Sequence, residues 1–566
     1  MIESNIVGVP DVKEADRITE AENQRIEQQK ANFGEDGLKL CADKLQKAVD
    51  ENEADEPPDE LVDHFIVSDL QGLRFIDLKS SSNLSLEQDT NARYPLSDLP
   101  VTAMLQDGKT NFVVLRVMLD TSKLPKRLYS LLPLFKALLL ASPMQLDGVV
   151  IPYEEVVKQL EADTVDQSVG YSDTLHRFIA LKLKASQDKY PELVKWMRNI
   201  LQNVIFEPER IVVFAKKIIN SAAQLKQKGY DLAILLLQDI VMETSNVKAA
   251  SSTLRQEVYL QELLNRLEES PSKIIQDLEE LKAHFGRPEN AIVNVVCNAD
   301  SLTKLHSEPW SMFTNLFGSN RTRAAIFPGS EPLCLKPVSE MGGTGWIMPV
   351  AASESAYVLQ LTHFISSWKH PELPAVLLAI QYLCQCESPV WREVRGKGLA
   401  YGADIHANAD HGVITLLLYR TTNPVLAYEC MKDIVERYFA AGNDMAELED
   451  AEFEAAKRSL VYETVSSEDT VNSASTQDFL GYFRGLPSGY TKQFVERIWA
   501  VNKEDLASAA QKHVLPLFDV SQSATAITCH PSKLQEIVDG FKKFGHTLKE
   551  KNMTDSDIIK MPVYEE

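Results

Sequence analysis

The sequence has eleven histidines and no pair of them at metal-binding spacing. His64, His176, His284, His306, His363, His370, His406, His411, His513, His530 and His546 form no H-E-x-x-H, H-x-x-E-H or H-x-x-x-H. A zinc site on a helix needs two ligands one turn apart, so that both imidazoles face one ion. No G-x-S-x-G marks a nucleophile either. Cysteine is sparse: Cys41, Cys297, Cys334, Cys384, Cys386, Cys430 and Cys529 are odd in number and scattered. That argues against a disulfide framework and for a reducing compartment. Basic clusters are missing. With 58 Lys and Arg against 81 Asp and Glu, the net charge of −23 argues against nucleic acid as main partner. The greasiest run, Leu128 to Met144, is broken by Pro133 and Lys136 and is too short for a bilayer, so no membrane association is expected. Met1 to Asp16 is acidic and resembles neither a secretory signal nor a mitochondrial transit peptide.

What is present reads as a multi-domain α+β protein of ordinary globular composition, 44% apolar and 25% charged. Residues 12 to 56 are charged and helical in pattern, broken at Phe33-Gly34-Glu35-Asp36-Gly37. Leu38, Leu40, Leu45 and Val49 form a narrow stripe, which predicts a helical hairpin. Beyond it, one order of elements occurs twice. Phe112 to Leu119 reads as a buried strand, followed by a helix opened by Pro125 and running to Leu140. Phe178 to Leu183 is a strand, and a helix carrying Leu193, Trp196, Met197, Ile200, Leu201 and Val204 follows Pro191. Roughly 230 to 250 residues later the order returns. Strand Ala356 to Leu361 precedes a helix from Pro371 to Cys384, and strand Val413 to Leu418 precedes a helix after Pro424. The pattern predicts tandem duplicated two-layer units, each an antiparallel or mixed sheet packed by helices. The expected domains are 1–60, the hairpin, then 61–305 and 306–566. Residues 208–285 and 445–515 are mostly helical, and 301–354 connect the units. The cluster Met341-Gly342-Gly343-Thr344-Gly345-Trp346 lacks the strand-to-helix context of a phosphate loop and reads as a flexible or tight-turning segment. Cys384 and Cys386 lie in an apolar helix pattern and read as core. His406 and His411 read as surface loop residues.

One short stretch carries chemistry. Arg392-Glu-Val-Arg395-Gly-Lys-Gly-Leu-Ala-Tyr401-Gly402 places a guanidinium and a phenol on either side of a glycine-rich run. Both are donors suited to a carbonyl becoming an oxyanion, and the glycines allow close backbone approach. The same residues also read as a surface arginine and a half-buried tyrosine at a helix-to-strand turn.

The segment resembles the Arg…Gly-Ala-Tyr-Gly segment of presequence proteases, within the pitrilysin and insulysin type of inverzincin zinc metallopeptidase. Ile26 to Ala54, with its Phe-Gly-Glu-Asp-Gly-Leu break, resembles the hairpin joining the two halves of such enzymes. The resemblance implies the C-terminal half: a hairpin, a degenerate third domain, and a fourth domain whose Arg395 and Tyr401 hold substrate and stabilise the oxyanion. It implies that zinc, its ligands and the general base belong to an N-terminal half, with no cofactor, catalytic residue or metal ligand in this chain. Helix Pro125 to Leu140, where a zinc helix would stand, contains no histidine. The expected function is the substrate-holding half of a zinc metalloendopeptidase, inactive alone. Its expected partners are a zinc-bearing N-terminal half, in the same longer protein or as a separate subunit, and an unfolded peptide. The alternative is a non-catalytic peptide- or partner-binding protein on the same fold. The expected compartment is the cytoplasm, or the mitochondrion if the chain is a fragment of a longer precursor.

Overall fold

The computed structural model describes residues 12–53, 69–83, 99–172, 174–243, 246–317, 335–440 and 448–562, with Pro58, Leu61, Leu96 and Gly442. His64, Cys334 and the connecting stretch 318–334 lie outside the described residues, as does most of 54–68. The chain divides into two units, Met1–Gly72 and Leu73–Glu566.

In the first unit, helix α1 (Val12–Glu53) is interrupted at Gly34, where φ is 61° and ψ is −178°. Only glycine enters that region freely, so the expected break is present at that residue. Ion pairs one turn apart, Arg17 to Glu14 and Arg25 to Glu22, line the exposed surface. Leu38, Leu40, Leu45 and Val49 remain exposed. A closed hairpin would bury that stripe, so the packing expected of it is not observed.

The second unit holds two six-stranded mixed sheets. The first uses β1 (Lys79–Ser82), β2 (Thr102–Asp107), β3 (Phe112–Asp120), β6 (Asp166–Tyr171), β7 (Phe178–Ser186) and β8 (Ala291–Cys297), in the order β1-β2-β8-β3-β7-β6. A small hairpin of β4 (Met144–Leu146) and β5 (Val149–Ile151) stands apart. The second sheet uses β9 (Gly345–Pro349), β10 (Ala356–His363), β11 (Ala400–Asn408), β12 (Val413–Thr421), β13 (Ala524–Cys529) and β14 (Leu548–Glu550), in the order β11-β12-β10-β13-β9-β14. The same plan recurs: β7, β3 and β8 pair antiparallel in series, as do β12, β10 and β13. The last strand of each series then pairs parallel with an earlier one, β8 with β2 and β13 with β9.

One face of the first sheet carries its own helices. Val113, Leu115, Val117 and Leu119 of β3 share a core with α2 (Leu132–Leu139) and α3 (Tyr190–Gln202). The predicted Pro125-to-Leu140 helix is a tight 3₁₀ segment, Lys126–Leu131, leading into α2. Pro133 sits at the α-helix start, where its missing N–H costs nothing. The opposite faces are covered crosswise. Helix α4 (Gly229–Val241), from between the strands of the first sheet, buries Leu232, Leu236, Leu237 and Ile240 against Met348, Tyr357, Leu359 and Leu361 of the second. In the second half, α5 (Leu373–Cys384) and α6 (Pro424–Phe439) precede α7 (Val471–Phe483). Phe479 and Phe483 of α7 pack on Met104, Met118, Phe178 and Ile292 of the first sheet.

Candidate functional site

Arg395 ends a π-helical turn, Trp391–Arg395, in which the Gly396 N–H donates to the Trp391 carbonyl at 2.8 Å. Such widened turns occur often at functional sites. The chain reverses through Gly398, whose φ of 71° favours glycine. The Leu399 N–H donates to the Val394 carbonyl at 2.9 Å, and β11 begins at Ala400. The turn therefore brings Arg395 and Tyr401 together. The guanidinium carbon lies 4.8 Å from the Tyr401 ring centre. Tyr401 is 60% exposed, and β11 is an edge strand.

The neighbouring charges are engaged elsewhere. Arg392 donates to Glu452 at 2.8 Å, Arg437 pairs with Glu393, and Lys397 lies 3.6 Å from Glu393. Among the described residues, Arg395 has no carboxylate within ion-pairing distance. The turn thus leaves one guanidinium free of carboxylates, beside an exposed phenol, on a strand with an open edge. That arrangement can donate to a peptide carbonyl and can accept an extended chain as an added strand.

Several tyrosines join this pair that their positions in the sequence did not single out. The Tyr401 ring centre is 6.5 Å from that of Tyr419 on β12. Tyr419 in turn lies 5.3 Å from Tyr357 on β10 and 5.1 Å from Tyr230 on α4. Tyr357 and Tyr230 read locally as strand and helix residues. No spacing signal relates them, because four elements supply the cluster.

The other candidate groups do not assemble into a metal centre. Among the described residues, no three His, Cys, Asp or Glu side chains meet in a way that could hold an ion. Helix α2 carries only Leu, Pro, Phe, Lys and Ala, so it does not fit a zinc-binding role. Cys384 is partly buried beside Asp404, and burial pushes both the thiol and the carboxyl upward. Cys386 is exposed, which corrects its reading as core, because the helix ends at Cys384. His406 is exposed on β11, 3.6 Å from Asp404. His411, in the turn after β11, stacks on His176 with ring centres 4.3 Å apart. Gly342 to Gly345 is a tight backbone crossing rather than a flexible loop. Here the Gly343 N–H donates to the carbonyls of Val520 and Ser523.

No protein-family model matches the chain. Three curated relatives match nearly all of it. An uncharacterized protein of Caenorhabditis elegans is 32% identical over 547 residues, covering 95% of this chain and 54% of the relative. Uncharacterized proteins of Schizosaccharomyces pombe and Saccharomyces cerevisiae are each 24% identical, covering 95% and 96% of this chain and 54% of each relative. The chain therefore spans about half the length of the curated relatives it matches. Among solved structures, a peptidase M16 inactive domain from Pseudomonas fluorescens aligns with a TM-score of 0.55 at 15% identity, over 76% of this chain and 95% of that one. A protease from Helicobacter pylori aligns at 0.57 and 12% identity, over 81% and 100%. A conserved protein from Enterococcus faecalis aligns at 0.54 and 13% identity, over 76% and 97%. These likenesses establish a shared fold. Among the described residues, no helix is long and apolar enough to cross a membrane.

Proposed function

We propose that this chain is the peptide-holding, C-terminal half of a pitrilysin-type metallopeptidase, closest to the presequence proteases. Arg395 and Tyr401 clamp the backbone of an extended substrate. The observation that carries the reading is the placement of Arg395 against exposed Tyr401 at the start of an edge strand, with the surrounding charges paired elsewhere. A substrate carbonyl there meets two donors held by one turn. Those donors favour the more negative oxygen of a transition state over the ground-state carbonyl. The fold shared with a peptidase M16 inactive domain supports the assignment, as does a chain about half as long as its curated relatives. The metal and general base belong, in this reading, to a separate zinc-bearing N-terminal half. The division at residues 60 and 305 is part of the proposal. So is a reducing, cytoplasmic setting, supported by unpaired Cys41, Cys297, Cys384, Cys386, Cys430 and Cys529.

The test combines the purified chain with a zinc-bearing N-terminal half and follows peptide turnover. Arg395→Gln and Tyr401→Phe should each lower turnover about 100-fold while leaving the melting temperature unchanged. Unchanged turnover would refute the clamp. A second reading, a non-catalytic peptide-binding protein, is favoured by the ligand-free sequence of α2 and by the solved neighbour described as an inactive domain. It predicts peptide binding that depends on Arg395 and Tyr401, with no turnover in any mixture.

A further inference from the structure

A second arginine joins the tyrosine cluster, and its backbone is unusual. Arg420 on β12 has a φ of 52°, in the left-handed region that a bulky non-glycine residue seldom occupies. The pairing of β10 with β12 shifts register at this point, between Ala356/Thr421 and Val358/Leu418. Bulges of this kind re-aim side chains and cluster beside functional sites, where the surrounding structure holds the strain. Here the bulge turns the Arg420 guanidinium to within 5.5 Å of the Tyr419 ring centre. The Tyr357 phenol is the largest influence on that guanidinium and, with Tyr419, holds it above its usual range. Glycine at 229 makes room for this assembly, since a Cβ there would come within 2.8 Å of both the Tyr357 ring and the Ser353 hydroxyl.

Arg395 and Arg420 thus bracket the Tyr401–Tyr419 pair, one over each ring. Neither has a carboxylate partner among the described residues, although Asp and Glu outnumber Lys and Arg by 81 to 58 in the sequence. Gly402, directly opposite Tyr419 in the β11–β12 ladder, sets no side chain beside the Tyr419 Cβ, which a Cβ at 402 would meet at 3.4 Å. We infer that Arg420, with Tyr419 and Tyr357, forms a specificity subsite that selects an acidic side chain in the peptide held by Arg395 and Tyr401. The inference rests on the clamp reading for the peptide's path. A carboxylate there meets a guanidinium already oriented by a phenol, with phenolic hydroxyls as further donors. A lysine-bearing peptide meets two cations and is disfavoured.

The test measures binding of two fluorescein-labelled decapeptides of Thr and Ser to the purified 566-residue chain. One peptide carries a central Glu and the other a Gln. The Glu peptide should bind about tenfold tighter at low salt, with the gap narrowing as salt rises. Arg420→Gln should erase the gap by weakening the Glu peptide. Arg420→Glu should transfer the preference to a third decapeptide of the same design with a central Lys. Arg395→Gln should weaken both peptides. Equal binding of Glu and Gln peptides to the unaltered chain, or a gap that survives Arg420→Gln, overturns the subsite and leaves the clamp standing. If neither peptide binds the unaltered chain, the clamp reading falls and the subsite with it.

Discussion

At the scale of single residues, close approach and burial make two positions unusually sensitive. A Cβ on Gly342 would sit 2.2 Å from the Ser521 carbonyl oxygen and 2.7 Å from that of Val338. Both obstacles are backbone, so neither can swing aside. Gly342→Ala should therefore cost about 2–4 kcal/mol, read as a drop in the denaturant midpoint. An unchanged midpoint would show that the crossing has slack. His546 is the second position. It is 3% exposed, within 3.1 Å of the Tyr428 hydroxyl and 3.4 Å of the Thr525 hydroxyl, and ringed by Tyr428 and Phe541. Burial lowers its pKa to about 4. Protonation then favours the unfolded chain, whose imidazole titrates near its ordinary value. The contribution is present above about pH 6.5 and is lost progressively as pH falls toward 4. Between pH 7 and pH 5 this one group should remove about 2 kcal/mol of stability. Urea titrations at the two pH values should show that loss, and His546→Gln should reduce it. His176, also lowered by burial, acts in the same direction.

Between elements, α7 is tied to the second sheet by an ion pair just beyond its end. Arg484 grips Asp410 with two hydrogen bonds, of 2.7 and 2.6 Å, and lies 4.5 Å from the Trp368 ring centre. Asp410 sits in the β11–β12 turn and also accepts from the Trp368 indole at 2.8 Å. Both partners of the ion pair are about nine-tenths buried. Arg484→Leu would strand a buried carboxylate and should cost about 3–5 kcal/mol. The double variant Arg484→Leu/Asp410→Leu should recover part of that loss in thermal melts; a double variant as unstable as the single one would point to packing instead. Neither this tie nor the crosswise helices were legible in the sequence, because amphipathicity says that a helix buries a face and not against which sheet. The strands at 112–119, 178–183, 356–361 and 413–418 were legible, since each is a compact apolar run followed by a proline-opened helix. The central strands β8 and β13 were not. Each is short and buried at every position, a pattern that a buried helix segment shares. Arg395 and Tyr401 were legible because only five residues separate them. Tyr230, Tyr357 and Arg420 required the folded sheet.

At the scale of the whole molecule, the crosswise packing decides how the two repeats relate energetically. A duplication with each unit complete would unfold in two steps and could be cut between the units. Here each sheet lacks a cover that the other half of the sequence provides. Four residues of α4, Leu232, Leu236, Leu237 and Ile240, are buried beside β10 and β9. At about 1.5–3 kcal/mol for each large apolar side chain, their loss would remove on the order of 10 kcal/mol, as much as a typical domain's net stability. Phe479 and Phe483 of α7 do the same for the first sheet, with Gln106 and Arg116 hydrogen-bonded to Ser475 and Thr476 of that helix. The two sheets should therefore unfold together. Fluorescence of single-tryptophan variants, one retaining Trp196 on α3 and the other Trp346 on β9, should follow one coincident urea transition. A fragment of residues 306–566 should lack a cooperative transition, since it loses α4 and exposes the α7 face. Two separated transitions, or a fragment that melts like the intact chain, would mean that each repeat closes its own core and that the crossed helices are peripheral.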